Sequence, residues 1–113
     1  MKDFLLVFRT DYGTMPQGSP EELQARTQQW MNWMSTIAAQ NKLIDRGNRL
    51  ENSGTVIRPG NVITDGPFME IKETIGGYTL IKASSMEDAV DIARTCPILQ
   101  VGGNVEIREI MPL

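Results

Sequence analysis

The sequence predicts an α+β fold in which two helices cover one face of an antiparallel sheet. Segments 3–9 and 77–83 carry apolar residues on both alternating faces, which is typical of central strands covered on both sides. Two helix starts are marked by Ser19 and Ser85, each followed by acidic residues. A chain of 113 residues can bury a core without disulfides, so residues 1–113 are predicted to form one domain.

The first strand, 3–9, is predicted to lie in the middle of the sheet. The helix after it begins with a serine cap, because Pro20 suits the first helical position and Glu22 completes a capping box. It is predicted to run to about Lys42. Trp33 is predicted to lie at the edge of the core or at an interface. The buried stripe at helical spacing is predicted to contain Leu23, Thr27, Trp30, Met34, Ile37 and Ala38.

Short strands follow, and a second helix lies among them. The turn centred on Pro59-Gly60 predicts a hairpin. The last strand alternates apolar and charged residues, which favours an edge position. The glycine pairs Gly76-Gly77 and Gly102-Gly103 lack phosphate-loop spacing and indicate close backbone packing or a bulge. The predicted strands are 43–50, 55–58, 61–64, 77–83 and 104–111, and the second helix lies between Ser85 and Pro97.

This order of elements is the split β-α-β arrangement of a ferredoxin-like protomer, with an extra hairpin before the third main strand. The helices are then expected on one face of the sheet, which leaves apolar residues of the central strands uncovered on the other face. An exposed patch of that extent normally marks an interface. The sequence therefore predicts a homodimer that forms through the open sheet face.

The composition excludes several classes of function. Eleven basic and fourteen acidic residues give a net charge of −3 with no basic block, which argues against nucleic acid as a partner. Neither a membrane span nor a signal peptide is expected, and the protein is predicted to be cytoplasmic. The chain has no histidine, and its one cysteine, Cys96, is expected to be a buried packing residue. No cofactor and no metal are predicted.

The segment around Asp65 is the candidate site. Gly66-Pro67 forces a bend there, and the Asp65 carboxylate can simply accept backbone hydrogen bonds within that turn. Alternatively, Glu70 and Glu73 lie close enough along the chain to raise the pKa of one carboxylate, which would make Asp65 a general acid or base. The remaining candidate ligand-binding residues are Arg9, Tyr12 and Phe68.

Several motifs resemble one known family. They are Asp65-Gly66-Pro67-Phe68, Glu70, Lys72-Glu73, Gly76-Gly77-Tyr78 and the late run 102–108. Together they resemble the DGPF branch of the YCII-related proteins. The resemblance implies a dimeric α/β barrel built from ferredoxin-like protomers, and some members are associated with extracytoplasmic-function sigma factors. It also implies a histidine-aspartate active site for the wider group, but here only the aspartate has a counterpart, Asp65.

Three hypotheses of function follow from the sequence. The leading one is a small dimer that binds a small molecule between sheet and helices, with Asp65 at the rim of the site, and acts as an accessory or regulatory module. The alternative is a hydrolase or isomerase of a small polar substrate that uses Asp65 without histidine. A third is a purely structural or protein-interaction dimer. The fold alone cannot choose between them, because it hosts many functions.

Overall fold

A computed structural model of the chain describes residues 1–10, 18–65 and 74–113. Its elements in chain order are β1 (Lys2–Thr10), α1 (Pro20–Ala39), β2 (Leu43–Asp45), β3 (Thr55–Arg58), β4 (Val62–Asp65), β5 (Thr74–Ala83), α2 (Met86–Ala93), a short 3₁₀ helix (Pro97–Val101) and β6 (Asn104–Glu109). Four strands form an antiparallel sheet in the order β2-β5-β1-β6, and β3 pairs with β4. This is the predicted ferredoxin-like α+β arrangement, with β1 and β5 central, β6 at an edge and the hairpin inserted before β5.

The helix-covered face of the sheet carries the core. Phe4 of β1 pairs with Ile81 of β5, and Leu6 pairs with Thr79, so these four side chains lie together on one face and are fully buried. The helices and the 3₁₀ segment cover them with Trp33, Ile37, Ala89, Cys96 and Ile98. The core is therefore closed by the chain's own helices on this face.

Both helices begin at the predicted serine caps. The Ser19 hydroxyl accepts a hydrogen bond from the Glu22 amide at 3.2 Å, and the Ser85 hydroxyl accepts one from the Asp88 amide at 3.1 Å. Each cap satisfies one of the amides that a helix start leaves without an intrahelical partner. The sequence pattern located both helix starts correctly.

The predicted stripe of α1 is wrong in part. Trp33 is a core residue with 5% of its surface exposed, and Ile37 is buried beside it. Trp30 and Met34 are half-buried and pack against the core. Leu23, by contrast, is 51% exposed, and Thr27 and Ala38 are exposed too. Trp33 packs in the core and donates hydrogen bonds to Ile92 of α2 and to Thr95. The buried side of α1 is therefore centred nearer to Trp33 than the pattern predicted.

Some boundaries also differ from the predictions. α1 ends at Ala39 instead of about Lys42, and β2 ends at Asp45 instead of continuing to residue 50. A register shift between β2 and β5 and a positive φ of 72° at Gly47 take the chain out of the strand. Pro97 does not end α2 directly, because that helix stops at Ala93 and the proline begins the 3₁₀ helix. A proline suits that first position, where its missing N–H is not needed.

The opposite face of the sheet has no helix of the described chain on it. Leu5 pairs with Leu80 and Val7 pairs with Tyr78, which gives this open face an apolar centre. Beside them on β6, Glu106 contacts the guanidinium groups of Arg9 and Arg108, each at 3.4 Å. No helix within the described ranges is long and apolar enough to cross a membrane.

Candidate ligand-binding cavity

A cavity of about 360 Å³ lies between the first half of α1 and the ends of β1 and β5. Its volume is at the lower end of the range for small-molecule sites, which fits a molecule of one or two rings. Apolar and aromatic side chains form its walls, and the polar residues around them include three arginines. The walls are formed by Phe8, Leu23, Trp30, Met34 and Ile98, and the polar lining by Arg26, Thr27, Arg46, Asn48, Arg49 and Thr79; the backbone of Tyr78 borders the cavity beside Gly47.

Two glycines of β5, Gly76 and Gly77, lie in the lining of this cavity. Gly77 pairs with Phe8 of β1. A Cβ atom at Gly77 would lie 2.9 Å from the Asn48 carbonyl oxygen, so the glycine also permits a close backbone approach. The register between β1 and β5 shifts at this point, which leaves Gly76 as an extra residue. The predicted close packing and bulge at Gly76-Gly77 are therefore confirmed.

The predicted core stripe of α1 supplies one wall of this cavity. Leu23, Thr27, Trp30 and Met34 all line it. They follow the helical repeat that the pattern indicated, but in the first half of α1 this side lines a cavity. The same periodicity that predicts burial therefore produces a cavity wall in the first half of the helix.

Three aromatic rings hold the inner wall rigid. The Phe8 ring centroid lies 5.0 Å from that of Trp30 and 5.9 Å from that of Trp33, and the two tryptophan rings are 5.7 Å apart. All three pairs meet edge to face, which is a favourable arrangement for aromatic quadrupoles. The Trp33 indole N–H donates to the Ile92 carbonyl at 3.2 Å and to the Thr95 hydroxyl at 3.1 Å. Trp30 thus presents a fixed surface to the cavity.

Segment 46–49 forms the rim beside β5. The Thr79 hydroxyl donates to the Arg46 carbonyl at 3.0 Å, and the Tyr78 amide donates to the Asn48 carbonyl at 3.3 Å. The Asn48 side-chain amide also donates to the Tyr78 phenol at 3.1 Å. A Cβ atom at Gly47 would meet the Tyr78 carbonyl oxygen at 1.7 Å, so only glycine fits there. These contacts fix the backbone of the rim.

The described lining of the cavity contains basic but no acidic side chains, although the chain as a whole is negative. Arg26, Arg46 and Arg49 line it, and none of the described residues that line it is acidic. Within the described ranges, no carboxylate forms an ion pair with the side chains of Arg46 or Arg49, which are exposed at the rim. Low-dielectric walls beside a cationic rim concentrate the attraction for an anion.

A second, more open groove of about 650 Å³ separates α1 from α2. Amide and hydroxyl side chains dominate it, and Asp88 and Asp91 lie along one side. The Asp88 carboxylate accepts from the Ser84 amide at 2.9 Å and from the Lys42 ammonium at 3.1 Å, and both contacts hold the pKa of Asp88 below its ordinary value. The pair with Lys42 links α2 to the residue before β2, which is a structural role.

The comparisons with known proteins identify the family. The family model of the YCII-related domain matches residues 6–113. The chain belongs to the YCII-related family. No curated protein sequence matches this YCII-related chain. The match therefore includes the first half of the chain from residue 6 onward.

The solved structures that resemble this YCII-related protein in fold include the 5-chloro-2-hydroxyhydroquinone dehydrochlorinase of Burkholderia phenoliruptrix, in complex with 2,5-dihydroxybenzoquinone. The TM-score is 0.50 at 15% sequence identity, and the likeness covers 96% of this chain and 93% of that one. At this identity the likeness supports the shared fold and nothing about chemistry.

The structure describes only two of the predicted site residues, and it places them on different strands. Arg9 lies on the open face of the sheet, ion-paired with Glu106, and is not part of the cavity lining. Asp65 ends β4, where its backbone lies opposite Thr55, and its side chain is outside the described part of the chain. Four further candidates also lie outside the described residues: Tyr12, Phe68, Glu70 and Glu73.

Sequence reasoning missed the arginines of the cavity. Arg26 lies one helical turn before Trp30 on the same face of α1, and that spacing was a usable signal. Arg46 and Arg49 had no comparable local signal, because contacts with β5 bring them to the rim.

The described residues show neither a cluster of metal ligands nor a reactive cysteine. They contain no group of three or more potential metal ligands. Cys96 is buried in the core, and burial raises the pKa of its thiol to about 12, which keeps it neutral at physiological pH. The predicted packing role of Cys96 is confirmed.

Proposed function

We propose that this YCII-related protein binds a small molecule in the cavity under α1 and acts in the cytoplasm as an accessory or regulatory module. The observation that carries the proposal is an aromatic cavity of single-ligand size, with Trp30 held in place by Phe8 and Trp33. A rigid apolar wall with a few polar groups at its rim is the usual form of a small-molecule site. Because these side chains are already ordered, ligand binding would cost little conformational entropy.

A binding role is favoured over catalysis by the groups available. The chain lacks histidine, the Cys96 thiol is buried and neutral, and no described lining residue is a carboxylate. Arginine and threonine remain, and these orient and neutralise a ligand more readily than they exchange protons at neutral pH.

A thermal-shift screen tests the binding proposal. A metabolite at about one hundred times its Kd stabilises a protein by about 2.7 kcal/mol, which shifts the melting temperature of a chain of this size by roughly 5 °C or more. Thr27→Phe places a ring in the cavity and should remove the shift. Gln28→Phe puts the same ring at the next position, which does not line the cavity, and should keep the shift. If a broad screen at saturating concentration produces no shift, the proposal fails.

The second candidate is an enzyme that uses Asp65 as general acid or base, tuned by Glu70 or Glu73. One observation favours it: Thr74, the first described residue after the segment with both glutamates, lies two residues before Gly76 of the cavity lining. The dehydrochlorinase named above has the same fold, which makes small-molecule chemistry on this scaffold reasonable to test. Once a ligand is known, Asp65→Asn should abolish its conversion and leave its binding within about threefold. If conversion survives, this candidate is excluded.

We further propose that two copies associate through the open sheet face, which would build the dimeric α/β barrel, and that the chain is of the DGPF branch. Support for the dimer comes from Leu5, Val7, Tyr78 and Leu80, which form an apolar centre that no described helix covers. Apolar strand faces of this kind are normally buried against another layer. Sedimentation at increasing protein concentration tests the association directly, and a monomer at every concentration would refute it.

A further inference from the structure

The rim arginines differ from other described arginines in their partners. Arg9 and Arg108 both contact Glu106, and Arg94 contacts Asp91. No described carboxylate forms such a pair with Arg46 or Arg49, in a chain with fourteen acidic residues. Two arginines that line the same cavity and have no carboxylate partner among the described residues form a ready site for an external anion.

The rim backbone holds both arginines in place without using their side chains. Arg46 is anchored through its carbonyl oxygen by the Thr79 hydroxyl, and Arg49 forms a backbone bridge with Gly77. Their side chains therefore remain available to a ligand. Their charge can be removed by substitution without touching the contacts that shape the cavity.

The cavity behind the rim has apolar and aromatic walls. Phe8 and Trp30 form its inner side, and Met34 and Ile98 complete it. Aromatic rings pack favourably against such a wall, and the volume of about 360 Å³ limits the ligand to one or two rings. The cationic rim and the aromatic wall together fit a ligand that has a ring at one end and an anionic group at the other.

We infer that the cavity selects small aromatic anions, with Arg46 and Arg49 binding the anionic group and the Trp30 wall binding the ring. This inference rests on the proposed binding function and adds the ligand class. Arginine pairs with carboxylate and phosphate oxygens alike through paired N–H donors. Carboxylates and phosphates are both oxyanions. The ligand class is therefore a planar ring that carries an oxyanion.

Matched probes test the inference. 2-Naphthoate and 2-naphthamide have nearly the same shape and differ in charge, and phenyl phosphate tests the phosphate alternative. Quenching of tryptophan fluorescence and thermal shift at pH 7 measure binding. We expect naphthoate to bind at least tenfold more tightly than naphthamide, a difference that shrinks as salt rises. Tighter binding of phenyl phosphate than of naphthoate would assign a phosphate ester as the preferred anion within the same class.

Substitutions locate the selectivity. The double variant Arg46→Gln/Arg49→Gln should lower the preference for naphthoate over naphthamide to within about threefold and leave naphthamide binding unchanged. Arg94→Gln removes the same charge from an exposed residue that does not line the cavity, and should behave as the parent. Thermal unfolding of the free variants checks that the fold is intact.

The possible failures are distinguishable. Equal binding of acid and amide would overturn the anion selectivity and leave the binding function standing. A preference that survives the double variant would overturn the role of Arg46 and Arg49. If none of the probes binds while the metabolite screen finds a neutral ligand sensitive to Thr27→Phe, the anion class is wrong. If neither the probes nor the screen gives binding, the proposed function falls with it.

Discussion

The two faces of the central sheet have similar apolar side chains and very different surroundings. Leu6 is fully buried under the helices with Phe4 and Ile81, while Leu5, the next residue, is half-buried on the open face opposite Leu80. The chain's own helices complete one face, and no helix of the described residues covers the other. Apolar residues on both faces of a strand therefore do not mean that one chain supplies both covers.

The largest expected effect separates the two faces directly. Leu6→Ala should lower the free energy of unfolding by about 3 kcal/mol, because it leaves a cavity in a closed core. Leu5→Ala makes the same change one residue away and should cost about 1 kcal/mol in dilute solution, where the open face stays half in water. Denaturant titration at micromolar concentration measures both. Equal costs at low concentration would mean that the open face is already as closed as the helix face.

The second effect concerns association through the open face. Leu80→Glu would place a charge in the proposed interface and should weaken the dimer by about 2 kcal/mol or more, roughly thirtyfold in dissociation constant. Ile57→Glu adds the same charge to the exposed hairpin and should leave the association unchanged. Analytical ultracentrifugation measures both variants against the parent. Equal weakening by the two variants would indicate that the hairpin, and not the open face alone, supports the dimer.

The third effect compares two tryptophans one turn apart. Trp33→Phe should cost about 1.5 kcal/mol, because it removes the hydrogen bonds to Ile92 and Thr95 and leaves unfilled space in the core. Trp30→Phe, at the half-buried cavity wall, should cost less stability and weaken ligand binding more. Denaturant titration and a ligand titration of both variants test the contrast. The reverse order of stability costs would place the core on the Trp30 side of α1.

Most of the fold could be predicted because its signals are local. The alternation in 3–9 and 77–83 identified the two central strands, and the serine caps located both helix starts. The face of α1 was less certain, since Trp30 and Trp33 are only about 60° apart around the helix axis at 3.6 residues per turn. The position of α2 determines which tryptophan is buried, because Ile92 and Thr95 accept the hydrogen bonds of the Trp33 indole. The sequence around the tryptophans does not indicate that packing.

The candidate site was predicted less well for the same reason. Arg46 reaches the cavity through a hydrogen bond to Thr79, thirty-three residues later in the chain. The cavity itself is lined by residues of α1, β1, β5 and the 3₁₀ helix, so it depends on packing between elements that are far apart in the chain. A sequence pattern indicates which side of a helix is apolar, but the residue that faces it decides whether that side meets a core or a space.

The smallest expected effect is electrostatic and lies at the edge of the helix-covered face. Asp88 accepts from the Ser84 amide and pairs with Lys42, and these contacts lower its pKa in the folded state. A lowered folded pKa gives stability that is present above the ordinary pKa of a carboxyl and is lost as pH falls through the folded value. Asp88→Asn should therefore cost about 1 kcal/mol at pH 7, and less as pH falls below about 4. Asp91→Asn, which breaks the exposed pair with Arg94, should change stability by less than about 0.5 kcal/mol at either pH. Denaturation midpoints of the three proteins at pH 7 and pH 3 test this. If Asp88→Asn lowers stability by the same amount at pH 3, the charge of Asp88 is not the source of its stabilising effect.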